Sequence, residues 1–141
     1  MMGKHLIKHW SVTQSVVTLS SAESELNGIC KGSSTGLGLL AIARDLGWHW
    51  TLEILTDASA AIGITRRRGL GRIRHLAVAD LWVQDRARSG DLTIKKIPGA
   101  ENPADLLTKH MPRPLMLQHL KTLNLRFDEG RASLAPEIDH L

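Results

Sequence analysis

The feature that most restricts this chain is the order of its hydrophobic periods: short β-rich runs are interleaved with stretches that repeat every three to four residues. Trp10 to Leu19 (WSVTQSVVTL) is β-branched and free of Gly and Pro, so it reads as a strand with Val12, Val16 and Val17 available for burial. Ser20 and Glu23 then stand at capping-box spacing, and Leu26, Ile29, Cys30, Leu37, Leu40 and Ala41 follow at helical spacing. This predicts a long helix to about Leu46, closed by Gly47. Leu52 to Thr56 (LEILT) reads as a strand, with Asp57 at its C-terminal end before a small-residue helix from Ala58 to Thr65. Beyond an arginine-rich loop, His75 to Arg88 carries Leu76, Ala79, Trp82, Val83 and Ala87 on one helical face, and Gly90 offers a stop. Leu92, Ile94 and Ile97 suggest a further strand, ended by Pro98 and Gly99. Asn102 is placed to cap a helix with Pro103 at its first position and Asp105 in its first turn, and Leu115 to Leu125 reads as a last amphipathic helix. The resulting order is strand, helix, strand, helix, helix, strand, helix. Such alternation specifies an α/β fold, a sheet covered by helices.

Three glycines, Gly28, Gly32 and Gly36, lie four apart inside the long helix. Each costs about 1 kcal/mol relative to Ala, so the spacing predicts close packing of helix on sheet. With 141 residues, 43% of them hydrophobic, the chain is long enough for one core and too short for two ordinary domains. The segment from Asp128 to Leu141 mixes Gly, Ser, Pro and charge without period and reads as a disordered tail. No internal repeat is visible.

Composition excludes several classes. A single cysteine, Cys30, rules out an intrachain disulfide or a cysteine-based zinc cluster and fits a reducing compartment, cytoplasm or nucleus. The longest apolar stretch, Leu37 to Ala43, contains Gly38 and is stopped by Arg44, far short of the run of about 18 that a membrane span needs. Met1 to His5 opens no apolar signal-peptide region, so no membrane association or export is expected. The net charge of +4 favours a polyanionic partner. Its placement says more: Arg66, Arg67, Arg68, Arg72 and Arg74 fall within nine residues, beside His75. Such a block is either a solvated loop or a surface that grips phosphates.

Three acids occupy comparable places: Glu25 in the first turns of the long helix, Asp57 at a strand end, and Asp105 in the first turn of a later helix. Open α/β folds put their sites at strand C-termini, where grouped carboxylates can hold Mg²⁺ through oxygen ligands. Two such ions about 3.5 to 4 Å apart can activate water and stabilise the leaving oxygen of a phosphodiester. Plainer readings stand beside this one. Glu25 reads equally as a solvated helix residue, Asp57 as the cap of the next helix, and Asp105 as a favourable charge at a helix N-terminus. Glu23 is explained by the capping box.

Three segments then carry a resemblance. TLSSAESEL (Thr18 to Leu26) resembles "ALSSTEAEY", EILTDASAAIGI (Glu53 to Ile64) resembles "IYCDNQGAIAL", and KIPGAENPADLLTKHM (Lys96 to Met111) resembles "VPTEEQLADILTKPL". These are signature segments of the ribonuclease H domain of copia-type retrotransposon Pol polyproteins. They occur in the family's order and span Lys8 to Pro112. The resemblance implies a ribonuclease H-like mixed sheet flanked by helices, and two-metal hydrolysis of RNA in RNA–DNA hybrids in the complete domain. It implies catalytic, metal-holding roles for Glu25, Asp57 and Asp105, two Mg²⁺ ions, and an upstream reverse transcriptase portion as partner. His75, in IRHL, is similar to the family's "KHID" histidine and either touches nucleic acid or helps a helix pack. The acid of "KHID" is Ala77 here. An integrase-type nuclease would share the metal logic, but the ADLLTK ending resembles the ribonuclease H.

The family's first catalytic aspartate sits in a "DADWAG"-like opening hairpin upstream of anything matching Lys8. The expectation is therefore a partial domain over residues 1–112 with its first hairpin at least partly missing, a C-terminal amphipathic helix over 113–127, and the tail over 128–141. An incomplete ligand set leaves two functions in view: the nuclease segment itself, or a catalytically inactive remnant that binds nucleic acid. It also leaves a sheet edge open to association.

Overall fold

A computed structural model of the chain describes residues 1–12, 14, 17–18, 20–69, 78–106 and 108–126. Arg72, Arg74, His75 and the tail expected over 128–141 lie outside them. The chain divides into two compact units, Ser11–Asn102 and a second made of Met1–Trp10 with Pro103–Leu141.

In the first unit, helix α1 (Ser21–Asp45) begins where the capping box placed it: the Ser20 side chain accepts from the Glu23 N–H at 3.3 Å. It ends at Gly47, whose φ of +81° is the left-handed conformation that closes a helix. Strand β1 (Leu52–Thr56) leads into α2 (Ser59–Arg66), then α3 (Val78–Ser89) and strand β2 (Leu92–Lys96). Gly90, at φ +83°, makes the turn between the last two. β1 and β2 pair in parallel, Leu52 opposite Leu92 through Thr56 opposite Lys96. Parallel neighbours need a crossover, which α2 and α3 supply. The fold is mixed α/β; the sheet has two strands among the described residues.

The core lies on one face of that sheet. Leu26, Ile29 and Cys30 of α1, Ala61, Ile62 and Ile64 of α2, Val83 of α3, and Leu92 and Ile94 of β2 are buried together, with Leu52 and Ile54 packed against them. Cys30 is buried, only 8% exposed. The other strand face carries Glu53, Leu55, Thr93 and Lys95, all exposed, with Lys95 ion-paired to Glu53. The glycine stripe works at one end: a Cβ on Gly36 would stand 2.5 Å from Leu52 Cδ1, and one on Gly32 would stand 3.9 Å from Ile54 Cδ1. At Gly28 a Cβ would meet nothing within 4 Å, so close packing does not explain that residue.

Two expectations are corrected. Over Trp10 to Leu19, no described residue belongs to a strand, and Val12 and Val17 are 58% and 91% exposed; residues 13, 15, 16 and 19 lie outside the description. β-Branched residues favour extended backbone, but a strand exists only where a neighbour completes the ladder. Gln14 is instead tied to the first turn of α1, donating to the Ser24 carbonyl at 2.8 Å and accepting from the Ser24 hydroxyl at 3.1 Å. The helix expected after Asn102 is replaced by two short 3-10 turns, Gly99–Glu101 and Pro103–Asp105. The Asn102 N–H closes the first of them on Gly99 O. Nucleating an α-helix is costly, and the few residues between Pro103 and Pro112 have no long apolar face to repay it.

The second unit, taken by itself, contains the Pro103–Asp105 turn and helix α4 (Arg113–Thr122), which packs against it. Pro112 is its N-cap residue, and His119 and Leu123 are buried. Among the described residues, no helix is long and apolar enough to cross a membrane.

Candidate functional site

Each of the three acids sits in a different setting. Glu25 is exposed on the second turn of α1, as a solvated helix residue would be. Asp105 is 21% exposed and pairs with Lys109 at 2.9 Å, an i,i+4 contact that accounts for it locally. Asp57 is different. It stands just beyond β1, half-buried, and it does not cap α2: the N-cap residue is Ala58, with no side-chain cap bond. The hydroxyl of buried Thr56 accepts the Ala58 N–H at 3.2 Å, so the turn is held without the Asp57 carboxylate. The capping explanation of Asp57 therefore fails; Glu25 stands as a solvated helix residue, and Asp105, which lies in a 3-10 turn rather than at an α-helix N-terminus, is accounted for by its ion pair with Lys109.

The surroundings of Asp57 are built by the ends of both strands. Ile97 N–H donates to Thr56 O at 3.0 Å, extending the ladder past Lys96 and bringing the loop after β2 beside it. A Cβ on Gly99 would approach Asp57 Oδ2 to 3.3 Å, so a small residue there leaves room for the carboxylate. Carboxylate oxygens are in kind what Mg²⁺ takes. Within neither unit, however, do three or more His, Cys, Asp or Glu side chains gather among the described residues.

The arginine block is described only in its first half. Arg66 ends α2 and is exposed, Arg67 is half-buried, and Arg68 is exposed. Arg67 Nε and Nη2 are shielded from solvent and have no hydrogen-bond partner among the described residues. A desolvated, unpaired guanidinium edge is costly, and an anion would relieve it.

One residue important to this loop was not singled out by its sequence context. Gln84, only 2% exposed, donates from Nε2 to Ile64 O at 3.0 Å and to Gly69 O at 3.1 Å, and its Oε1 accepts the Gly69 N–H at 3.0 Å. The carbonyl of Ile64 belongs to the last turn of α2, where no intrahelical donor remains. Gln84 thus both caps α2 and clasps the loop that carries Arg66, Arg67 and Arg68. The only available signal was a polar residue at position 84, directly after Val83 on the apolar face of α3.

Compared with known proteins, the chain is 30% identical over 105 residues to "Retrovirus-related Pol polyprotein from transposon TNT 1-94" of Nicotiana tabacum. The match covers 73% of this chain and 8% of that polyprotein, so the chain spans a small part of its relative's length. No family model matches, and no solved structure matches. The likeness supports an origin as a segment of a retrotransposon Pol polyprotein.

Proposed function

We propose that this chain is part of a copia-type ribonuclease H domain, which in complete form hydrolyses the RNA strand of RNA–DNA hybrids. The observation that carries the reading is Asp57, a half-buried carboxylate with no capping role at the C-terminal end of a parallel strand. That is where open α/β folds place their chemistry, and Asp57 lies inside one of three segments that resemble the family in order. Glu25 and Asp105 are its proposed companions, and Arg66, Arg67 and Arg68, with Arg72, Arg74 and His75, the proposed contacts to nucleic acid. Two Mg²⁺ ions belong to the complete domain. This chain, with no three such side chains gathered in either unit among the described residues, is not by itself assigned a cation site. The reverse transcriptase portion of the polyprotein is the proposed covalent neighbour.

The test is Mg²⁺-dependent cleavage of a labelled RNA–DNA hybrid by the chain fused behind an aspartate-bearing hairpin of the family. Cleavage that Asp57→Asn abolishes supports the reading. No cleavage, or cleavage indifferent to Asp57→Asn, overturns it.

A second reading is a catalytically inactive remnant that keeps phosphate contacts. It is favoured by the Asp105–Lys109 ion pair, which occupies one of the three acids, and by the orphaned nitrogens of Arg67. Phosphate contacts predict binding that weakens steeply with salt. Salt-insensitive binding of a hybrid, or none, disposes of it.

A further inference from the structure

We infer that the exposed face of α2, with Lys96 from the end of β2, is a seat for one backbone phosphate of a nucleic-acid strand. The inference rests on the nucleic-acid reading above and adds Ser59, Gly63 and Lys96 to it.

Ser59, Ile62, Gly63 and Arg66 recur at three and four residues, so they share one face of α2, and together with Lys96 they line an open groove of about 230 Å³. Ile62, only 5% exposed, makes its apolar floor. A Cβ on Gly63 would meet nothing within 4 Å, so the backbone there is open to an approaching group. The register places Lys96 opposite Thr56, the residue before Asp57. The groove therefore lies at the same end of the sheet as the candidate acid.

Charge decides the occupant. Lys95, Arg86 and Arg88 are each paired with a carboxylate, Glu53, Asp91 and Asp85 respectively. Arg66 and Lys96 form no ion pair among the described residues, so two unneutralised cations converge on one groove. The Ala58 N-cap offers no side-chain acceptor, which leaves first-turn N–H groups of α2 uncapped by a side chain at the end where Ser59 sits. Two cations and a hydroxyl suit a tetrahedral, multiply accepting anion. The groove is open rather than enclosing, as a strand passing across it requires.

The experiment is a salt titration of the full chain binding a fluorescent RNA–DNA hybrid, followed by anisotropy, with circular dichroism confirming the fold of each variant. Lys96→Gln is expected to lower the magnitude of the log–log salt slope by about 1. Gly63→Leu, which fills the groove without changing charge, is expected to weaken binding; should it fail to fold, Ser59→Leu replaces it. Lys95→Gln, with the same charge change outside the groove, is expected to leave the slope unaltered. The proposal is overturned if Lys96→Gln and the filling variant bind like the parent, or if Lys95→Gln does as much as Lys96→Gln. Inorganic phosphate that shifts the Gly63 amide resonance without being displaced by the hybrid also overturns it, in favour of a free-anion site. A parent chain that does not bind the hybrid at all fails earlier, and then the nucleic-acid reading falls with it.

Discussion

Replacing Gln84 by Leu removes a clasp whose cost can be worked from its three hydrogen bonds. The side chain is 2% exposed, and Leu is of similar bulk, so the change is chiefly one of polarity. Each bond contributes about 1 kcal/mol net, and a buried group left unpaired costs about 1–3 kcal/mol. Gly69 is exposed, so water can replace Gln84 at its N–H and carbonyl; Ile64 is only 4% exposed, and its carbonyl is the one left poorly served. The sum is about 2–4 kcal/mol, a large part of a domain stability of about 5–15 kcal/mol. Gln84→Glu should be worse. It keeps an acceptor for the Gly69 N–H but sets carboxylate oxygen against the carbonyls of Ile64 and Gly69, in a site where an uncompensated charge is expensive. The assays are urea denaturation of the full chain and hydrogen exchange of the Gly69 amide, which should lose protection in both variants. A Gln84→Leu protein within about 0.5 kcal/mol of the parent, or an unchanged Gly69 exchange rate, refutes the reasoning.

Three further outcomes are expected. Gly36→Ala should destabilise by up to about 2 kcal/mol, the overpacking of its Cβ against the Leu52 side chain outweighing a helix-propensity gain of about 1 kcal/mol, whereas Gly28→Ala, with nothing to meet, should stabilise by up to about 1 kcal/mol; thermal melts that rank the two in the opposite order remove the packing explanation. Ser33 is fully buried with its hydroxyl unpartnered among the described residues, so Ser33→Ala should raise the unfolding midpoint, by about 1 kcal/mol in stability; a lower midpoint would mean that the hydroxyl has a partner after all. The hydroxyl of Ser89 and then the Arg86 guanidinium hold the Asp91 carboxyl below its ordinary value of 3.8. A depressed folded-state pKa stabilises above the unfolded value and is lost as pH falls through the folded one. The α3–β2 turn should therefore loosen only in acid, and Asp91→Asn should abolish that dependence. An NMR titration of Asp91 with its midpoint at or above 3.8 contradicts this.

Much of the first unit was legible because its signals are local. The Ser20 cap needs only the Glu23 amide three residues away, and Gly47 and Gly90 turn the chain through their own φ angles. The period of LEILT identified β1 for the same reason. Where an element depends on something distant, the local signal misleads. The β-branched run before Ser20 has strand chemistry, yet its described residues find no ladder, and Gln14 binds Ser24 instead. Asn102 and Pro103 carry a helix-start signature, but the following residues close only short turns. The site divides in the same way. Asp57 could be placed at a strand end from sequence, but whether it capped α2 was decided by Thr56 reaching Ala58. Gln84 and Lys96 carried no local mark, since what matters about each is a residue well separated along the chain.

By itself, then, the sequence determined helices α1 to α4 and strands β1 and β2, the stops at glycine, the arginine block and the three acids, because each follows from neighbours within a few residues. Tertiary structure alone decided that β1 and β2 pair in parallel with Thr56 opposite Lys96. It also decided that Gln84 clasps the loop behind α2, and that Lys96 faces the groove where Arg66 ends. Those outcomes depend on which distant surfaces bury one another, and no window of local periodicity contains that choice.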